Sequence, residues 1–67
     1  MKLVEINRLG FIAGFKWLDD AAVGRHRRLA KYEYDNAATD EEKAAIQAAW
    51  SFGWNFGYRN SEKDLKS

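Results

Sequence analysis

The 67-residue chain contains no cysteine and no proline. Without cysteine it has neither a disulfide framework nor a thiolate metal site, and its N-terminus lacks the apolar segment typical of a secretory signal, so we expect a cytoplasmic protein. Basic and acidic residues nearly balance, eleven against ten. The chain therefore has no overall electrostatic attraction to nucleic acid or to anionic lipid, and any such attraction must come from a local cluster.

Residue types that carry catalysis are also scarce. His26 is the only histidine, it stands among arginines, and no serine or cysteine is placed to form a nucleophile arrangement with it. One imidazole with Asp19 and Asp20 is too small a donor set for a metal ion, and there is no glycine-rich phosphate loop. These absences predict a protein that is not an enzyme and holds neither a metal nor a cofactor.

The most distinctive stretch is AAIQAAWSFGWNFGY, residues 44–58, which carries no charge. At about fifteen residues it is shorter than the roughly 20 that cross a bilayer, so we expect no membrane span. At helical spacing only Gln47, Ser51 and Asn55 form a polar strip. A helix with so narrow a polar face must be covered on several sides, by its own chain, by a second copy or by another protein.

The start of this helix has a clear local signal. Thr39 and Glu42 have the spacing of a capping box, and the acidic Asp40 suits the positive end of the helix dipole. The pattern predicts a helix over residues 40–59, ending near Arg59–Asn60. The polar residues 61–67 are then expected to form a mobile tail.

The first half of the chain permits two interpretations. Residues 1–6 are an N-terminal arm of undecided structure, and Asn7 is a plausible helix N-cap. Apolar residues then recur at steps of four and three up to Tyr32, which favours one long helix over residues 7–35. The alternative is a break near Leu18–Asp20, with an aspartate capping a second helix.

The sequence therefore predicts an all-α fold, an antiparallel helical hairpin that assembles as a dimeric four-helix bundle, with a three-helix bundle as the alternative. In a hairpin, residues whose numbers add up to about 75 face each other, which sets Gly24 against Trp50 or Ser51 and Trp17 against Gly57 or Tyr58. Such glycines would be notches, that is, positions where the missing side chain leaves room for a large aromatic ring. By the same alignment the groove at Gly10 and Gly14 has no partner within the chain, which predicts a homo-oligomer.

A second notable segment is the basic run GRHRR, residues 24–28, continued by Lys31. Its arginines form either a solvated helix face balanced by neighbouring carboxylates, or a site that contacts phosphates or an acidic protein surface. Near-neutral net charge makes the acidic protein surface the favoured choice of these contacts.

We therefore expect a small non-catalytic adaptor or inhibitor that binds a larger protein through an aromatic and glycine-rich helical surface and a basic patch. The alternatives are a nucleic-acid-binding hairpin and a purely structural homo-oligomer. The predicted partner-binding residues are Gly10, Phe11, Gly14, Phe15, Arg25, Arg27, Arg28, Lys31 and Trp54.

Overall fold

The chain folds into three helices. The computed structural model describes the backbone of residues 2–66 and the side chains of residues 2–61. Over this part there is no strand, and the elements are α1 (Leu3–Phe15), α2 (Asp20–Asp35) and α3 (Asp40–Lys66). The all-α prediction is confirmed, and the three-helix alternative is the correct one. The two-helix hairpin is wrong, and so is the four-helix dimer built from it.

The break between α1 and α2 depends on Asp19. Its backbone N–H donates to the carbonyl of Lys16 at 2.8 Å, and its carboxylate accepts from the backbone N–H of Ala22 at 3.1 Å, so it caps α2. The connecting residues 16–19 number about as many as one helical turn. The spacing of apolar residues is therefore unchanged across the connection, which is why the periodicity alone favours one long helix.

The helix α1 begins earlier than the sequence predicts. Its first residue is Leu3, and the backbone N–H groups of Glu5 and Ile6 donate to the carbonyl of Lys2 at 3.0 and 3.2 Å. Asn7 is therefore inside the helix and is not its N-cap. Its side-chain amide instead donates to the carbonyl of Ala49 on α3 at 3.3 Å.

The predicted start of α3 is confirmed and its predicted end is wrong. The backbone N–H of Glu42 donates to the Thr39 hydroxyl at 3.1 Å, while the Glu42 carboxylate accepts from the N–H of Ala38 at 3.2 Å. At the other end the Asn60 side chain donates to the Phe56 carbonyl at 2.8 Å, a bond within the helix. The helix continues to Lys66. The expected mobile tail is thus helical to that residue, and Ser67 lies outside the described residues.

The helices α1 and α3 run parallel and touch through glycine. Gly10 and Gly14 lie against the α3 backbone at Trp50 and Trp54. Conversely, two glycines of α3 lie against the α1 backbone, Gly53 at Asn7 and Phe11, and Gly57 at Phe11 and Phe15. Residue numbers rise together along this seam, which we call the glycine seam. A side chain on any of its four glycines would meet backbone, so their small size sets the distance between the helices.

Three predictions about glycine packing change as a result. The groove at Gly10 and Gly14 has a partner, because α3 covers it, so the argument for a homo-oligomer based on that groove is wrong. Gly24 is not a notch for Trp50, since nothing lies within 4 Å of a Cβ built there. Gly57 is not a notch for Trp17, because it lies against the backbone of Phe11 and Phe15, and the Trp17 ring instead lies 5.3 Å from that of Tyr58, its other predicted neighbour.

The core consists mainly of small side chains. The buried apolar residues of the described chain are Ile6, Ala13, Ala22 and Ala30, and only Ile6 is both large and fully buried. The three helices form an elongated body of 43 × 20 × 14 Å. Because so little volume is enclosed, most aromatic rings lie in grooves and on the outer faces, where a ligand or partner can reach them.

Candidate interaction groove

Two indole rings of α3 form one wall of a groove between α2 and α3. Trp50 and Trp54 are one helical turn apart, both are half-buried, and their ring centroids are 6.5 Å apart with an angle of 27° between the planes. The backbone at these two residues is held against Gly10 and Gly14 by the glycine seam. The seam therefore fixes where the indoles stand, and the rings themselves extend beside α2.

The opposite edge of the groove is basic. Arg27 and Lys31, one turn apart on α2, both line it. Lys31 forms an exposed ion pair with Asp35 at 3.3 Å, which is worth only about 0.3–0.5 kcal/mol for a pair four residues apart on a helix. Arg27 forms no hydrogen bond or ion pair within the described residues. Its guanidinium is therefore available to an anion from outside.

The groove has two recesses that meet at Trp50. One is polar, with a volume of about 380 Å³, and Arg27 lies at its rim. The other is mainly apolar and holds about 240 Å³. Both are open to solvent and near the lower limit of ligand pockets, about 300 Å³, so they suit single side chains of a partner better than a cofactor. The polar recess is lined by Arg27, Trp50, Ser51, Trp54 and Asn55, and the apolar one by Ala30, Lys31, Tyr34, Ile46, Gln47 and Trp50.

Tyr34 closes the apolar end of the groove and is held from α3. The ammonium group of Lys43 lies 5.0 Å from the centroid of the Tyr34 ring and donates to the Tyr34 carbonyl at 3.2 Å. This cation–π contact and hydrogen bond join the end of α2 to the start of α3. The tyrosine ring is thus fixed before any ligand arrives.

The cations at the two recesses differ in their partners. Arg27 shares the polar recess with Trp54, toward the C-terminal part of α3. At the apolar recess, Lys31 is paired with Asp35, and the ammonium group of Lys43 lies over the Tyr34 ring. A ligand along the groove therefore meets the guanidinium of Arg27 at the polar recess and cations that already have partners at the apolar one.

His26 is occupied within its own helix. Its Nδ1 atom lies 2.7 Å from the carbonyl oxygen of Ala22, and because a carbonyl only accepts, Nδ1 carries the proton and donates it. The residue is half-buried.

On the other flank of the glycine seam, all four phenylalanines of the chain form a second cluster, the phenylalanine face. The ring of Phe11 lies 6.2 Å from that of Phe15 and 5.6 Å from that of Phe56. Phe52 and Phe56 are 70% and 55% exposed. This face is separate from the groove, because the glycine seam lies between them.

The predicted partner-binding residues separate into four groups. Arg27, Lys31 and Trp54 come together in the groove. The rings of Phe11 and Phe15 belong to the phenylalanine face. The arginines at positions 25 and 28 are exposed but line neither recess. The glycines at positions 10 and 14 are buried against α3 and have no surface to offer, so their assignment to a partner site is wrong.

Sequence reasoning missed the groove residues Tyr34, Ile46 and Trp50. The signal that could have found them is a pair of four-residue spacings, Arg27 with Lys31 and Trp50 with Trp54, on helices joined by a short turn. Short connections make neighbouring helices antiparallel, and aligning these two pairs across the turn places the cations opposite the indoles.

Two further features, a membrane-spanning helix and a metal-binding group, are absent from the described part of the chain. No helix there has an apolar stretch long enough to cross a membrane. No three histidine, aspartate or glutamate side chains among those residues gather as a metal-binding group.

Comparison with known proteins found no matching protein-family model, no significantly similar curated protein and no significantly similar solved structure.

Proposed function

We propose that the protein is a non-catalytic interaction module, an adaptor or inhibitor, that binds a segment of a larger protein in the groove between α2 and α3. The observation that carries the proposal is that the guanidinium of Arg27, which has no partner among the described residues, lies beside the half-buried Trp50 and Trp54. Tryptophan and arginine are the residue types that contribute most of the binding energy in protein interfaces.

The two recesses define the chemistry of the bound segment. Arg27 suits a carboxylate, because a guanidinium can donate two parallel hydrogen bonds to its two oxygens. The recess lined by Ile46, Tyr34 and Trp50 suits one apolar side chain. The two sites meet at Trp50, so the preferred segment carries an acidic residue close in sequence to a large apolar one.

A protein segment fits this groove better than a nucleic acid strand does. Indoles and arginines together also serve single-stranded nucleic acid, by stacking on bases and contacting phosphates. A strand lying along the groove, however, needs several cations that are free to contact phosphates. Of the two cations that line the described groove, Lys31 is already paired with Asp35, so only Arg27 is free for this role. The nearly balanced net charge supplies no further attraction. The nucleic-acid hypothesis is therefore the second choice.

The experiment is a selection from a displayed library of random peptides against the intact chain and two charge-reversal variants. Wild type is expected to enrich peptides that pair an acidic residue with a large apolar one. Arg27→Glu should lose these peptides and enrich basic ones instead, because the charge at the polar recess is reversed. Arg25→Glu is the matched control, since Arg25 lies on the same helix and is exposed but lines neither recess.

Circular dichroism of all three proteins must show the same helix content, so that a change in selection reflects the groove alone. Equal enrichment of acidic peptides by wild type and Arg27→Glu would contradict the proposal. Tight binding of wild type to arbitrary single-stranded nucleic acid, with a log–log salt slope of about −0.7 per phosphate contacted, would favour the second choice.

A further inference from the structure

The outward face of α3 has a pattern that the fold leaves uncovered. Ala45, Ala48, Phe52, Asn55 and Arg59 recur at steps of three and four, the spacing of a coiled-coil seam. All of them except the half-buried Ala45 are exposed. This row of residues lies on the phenylalanine face, and Asn55 is the one member that also lines the polar recess of the groove.

When a second copy of α3 runs antiparallel to the first, the two outward faces complement each other. If two α3 helices cross antiparallel near residue 50, residues whose numbers add up to about 100 face each other. Phe52 of one copy then stands over Ala48 of the other. Phe56 stands over Ala44 and Ala45. Each large ring meets a small side chain, which is the packing that lets two helix surfaces interdigitate.

The charged residues at the two ends of this face also have numbers that add up to 100. Glu41 in the first turn of α3 and Arg59 near its C-terminal part are both exposed. They lie about 27 Å apart along the helix, at equal distances from residue 50. In the antiparallel arrangement each Glu41 therefore meets Arg59 of the other copy, and the pair forms twice. In a parallel arrangement each charge would face its own equivalent and repel it.

The exposed area is of the size that a small dimer needs. With about 200 Å² for a whole phenylalanine, the exposed parts of Phe52 and Phe56 amount to roughly 250 Å² in each copy. Two copies thus supply about half of the roughly 1,000 Å² at which specific interfaces begin. The exposed Ala48 and the stems of Glu41 and Arg59 border these rings and would be covered with them. The ring of Phe11 contacts that of Phe56 from α1 in a tilted arrangement, with an angle of 39° between the planes.

We propose that two copies of this chain associate as an antiparallel dimer through the outward face of α3, with Phe52 over Ala48 and Glu41 paired with Arg59. We infer a second copy as the partner of this face because, in the antiparallel arrangement, large side chains meet small ones and opposite charges meet each other. The dimer leaves the apolar recess of the groove open on each copy and touches the polar recess only at Asn55.

The test uses charge reversal and measures mass by sedimentation velocity from 1 to 200 μM. Wild type is expected to be a dimer within this range. Glu41→Arg and Arg59→Glu each replace both ion pairs by like charges, and each should weaken self-association by at least about tenfold. An equimolar mixture of the two variants restores both pairs in a heterodimer. Its dissociation constant should return to within about threefold of that of wild type.

Asp40→Arg is the matched control for Glu41→Arg. Both substitutions place a cation in the first turn of α3, where it interacts equally unfavourably with the helix dipole. Asp40, however, lies outside the row of residues that would form the dimer contact. Asp40→Arg should therefore dimerise as wild type does. Ala48→Glu, which removes the small residue opposite Phe52, should be monomeric and helical.

Three outcomes would overturn the proposal. The first is a wild-type chain that stays monomeric up to 200 μM. The second is equal weakening by Asp40→Arg and Glu41→Arg, which would trace the effect to the helix rather than to the interface. The third is a mixture of Glu41→Arg and Arg59→Glu that associates no better than either variant alone.

Discussion

From the glycine seam we expect two glycine-to-alanine substitutions, one inside the seam and one outside it, to have opposite effects on stability. Gly57→Ala adds one methyl group where α1 and α3 touch. A Cβ at this residue would collide first with the carbonyl oxygen of Phe11, and it would lie 2.8 Å from the backbone nitrogen of Phe15 and 2.9 Å from the carbonyl carbon of Phe11. These are backbone atoms of a continuous helix, so no side-chain rotation can make room, and the two helices must move apart.

The magnitude follows from that movement. Reaching an ordinary contact of 3.4 Å with the Phe15 nitrogen alone requires a separation of about 0.6 Å, and the closer Phe11 carbonyl oxygen requires more. A gap of even about 0.6 Å removes a quarter to a half of the dispersion attraction along the seam. Overpacking of this kind costs about 1–3 kcal/mol, and the unyielding backbone places Gly57→Ala at the upper end. The better helix propensity of alanine returns about 1 kcal/mol. We expect a net loss of about 2 kcal/mol in the free energy of unfolding.

Gly24→Ala is the matched control, because a Cβ at Gly24 meets nothing within 4 Å. Only the propensity gain of about 1 kcal/mol remains there. For a chain of this size, thermal unfolding followed by circular dichroism at one fixed protein concentration should show Tm lowered by about 8–16 °C in Gly57→Ala and raised by about 4–8 °C in Gly24→Ala. A higher Tm in both variants would refute the parallel packing of α1 on α3.

Two further predictions concern single groups. Thr39→Ala should lower the free energy of unfolding by about 1 kcal/mol in urea denaturation, because the backbone N–H of Glu42 loses its acceptor, whereas Thr39→Ser should keep most of that stability. The indole nitrogen of Trp17 is buried and has no hydrogen-bond partner among the described residues. Trp17→Phe should therefore stay within about 1 kcal/mol of wild type, since it removes an unsatisfied donor and keeps a ring against Tyr58. Trp17→Ala, which loses that ring, should cost at least about 2 kcal/mol, and equal losses in the two variants would contradict this account.

The features that the sequence predicted correctly are local ones. The capping box at Thr39 and the possible cap at Asp19 each involve residues within one turn of each other. Their hydrogen bonds form wherever the chain begins a helix, so they can be recognised without knowledge of the rest of the fold. The same is true of the all-α class, which follows from helical periodicity and the absence of proline.

The ends of helices were harder to predict when a side chain found a partner at long range or within the helix. Asn7 has the chemistry of an N-cap, but its amide bonds to Ala49 on α3. Asn60 has the chemistry of a helix end, but its amide bonds to the Phe56 carbonyl, and the helix continues. In both cases the residue type allowed either role, and only the position of a second group in space decided between them.

Residue types and spacings by themselves determined the helical class, the cap of α3 and the presence of basic and aromatic clusters, because each depends on neighbours in sequence. The pairing of helices was decided only in the tertiary structure. Because the connection between α1 and α2 is as long as one helical turn, the apolar periodicity does not reveal that the chain reverses there. Together with the second reversal between α2 and α3, this makes α1 parallel to α3. Gly10 and Gly14 thereby became core, and Arg27 came to face the indoles, because only the folded chain sets which surfaces meet.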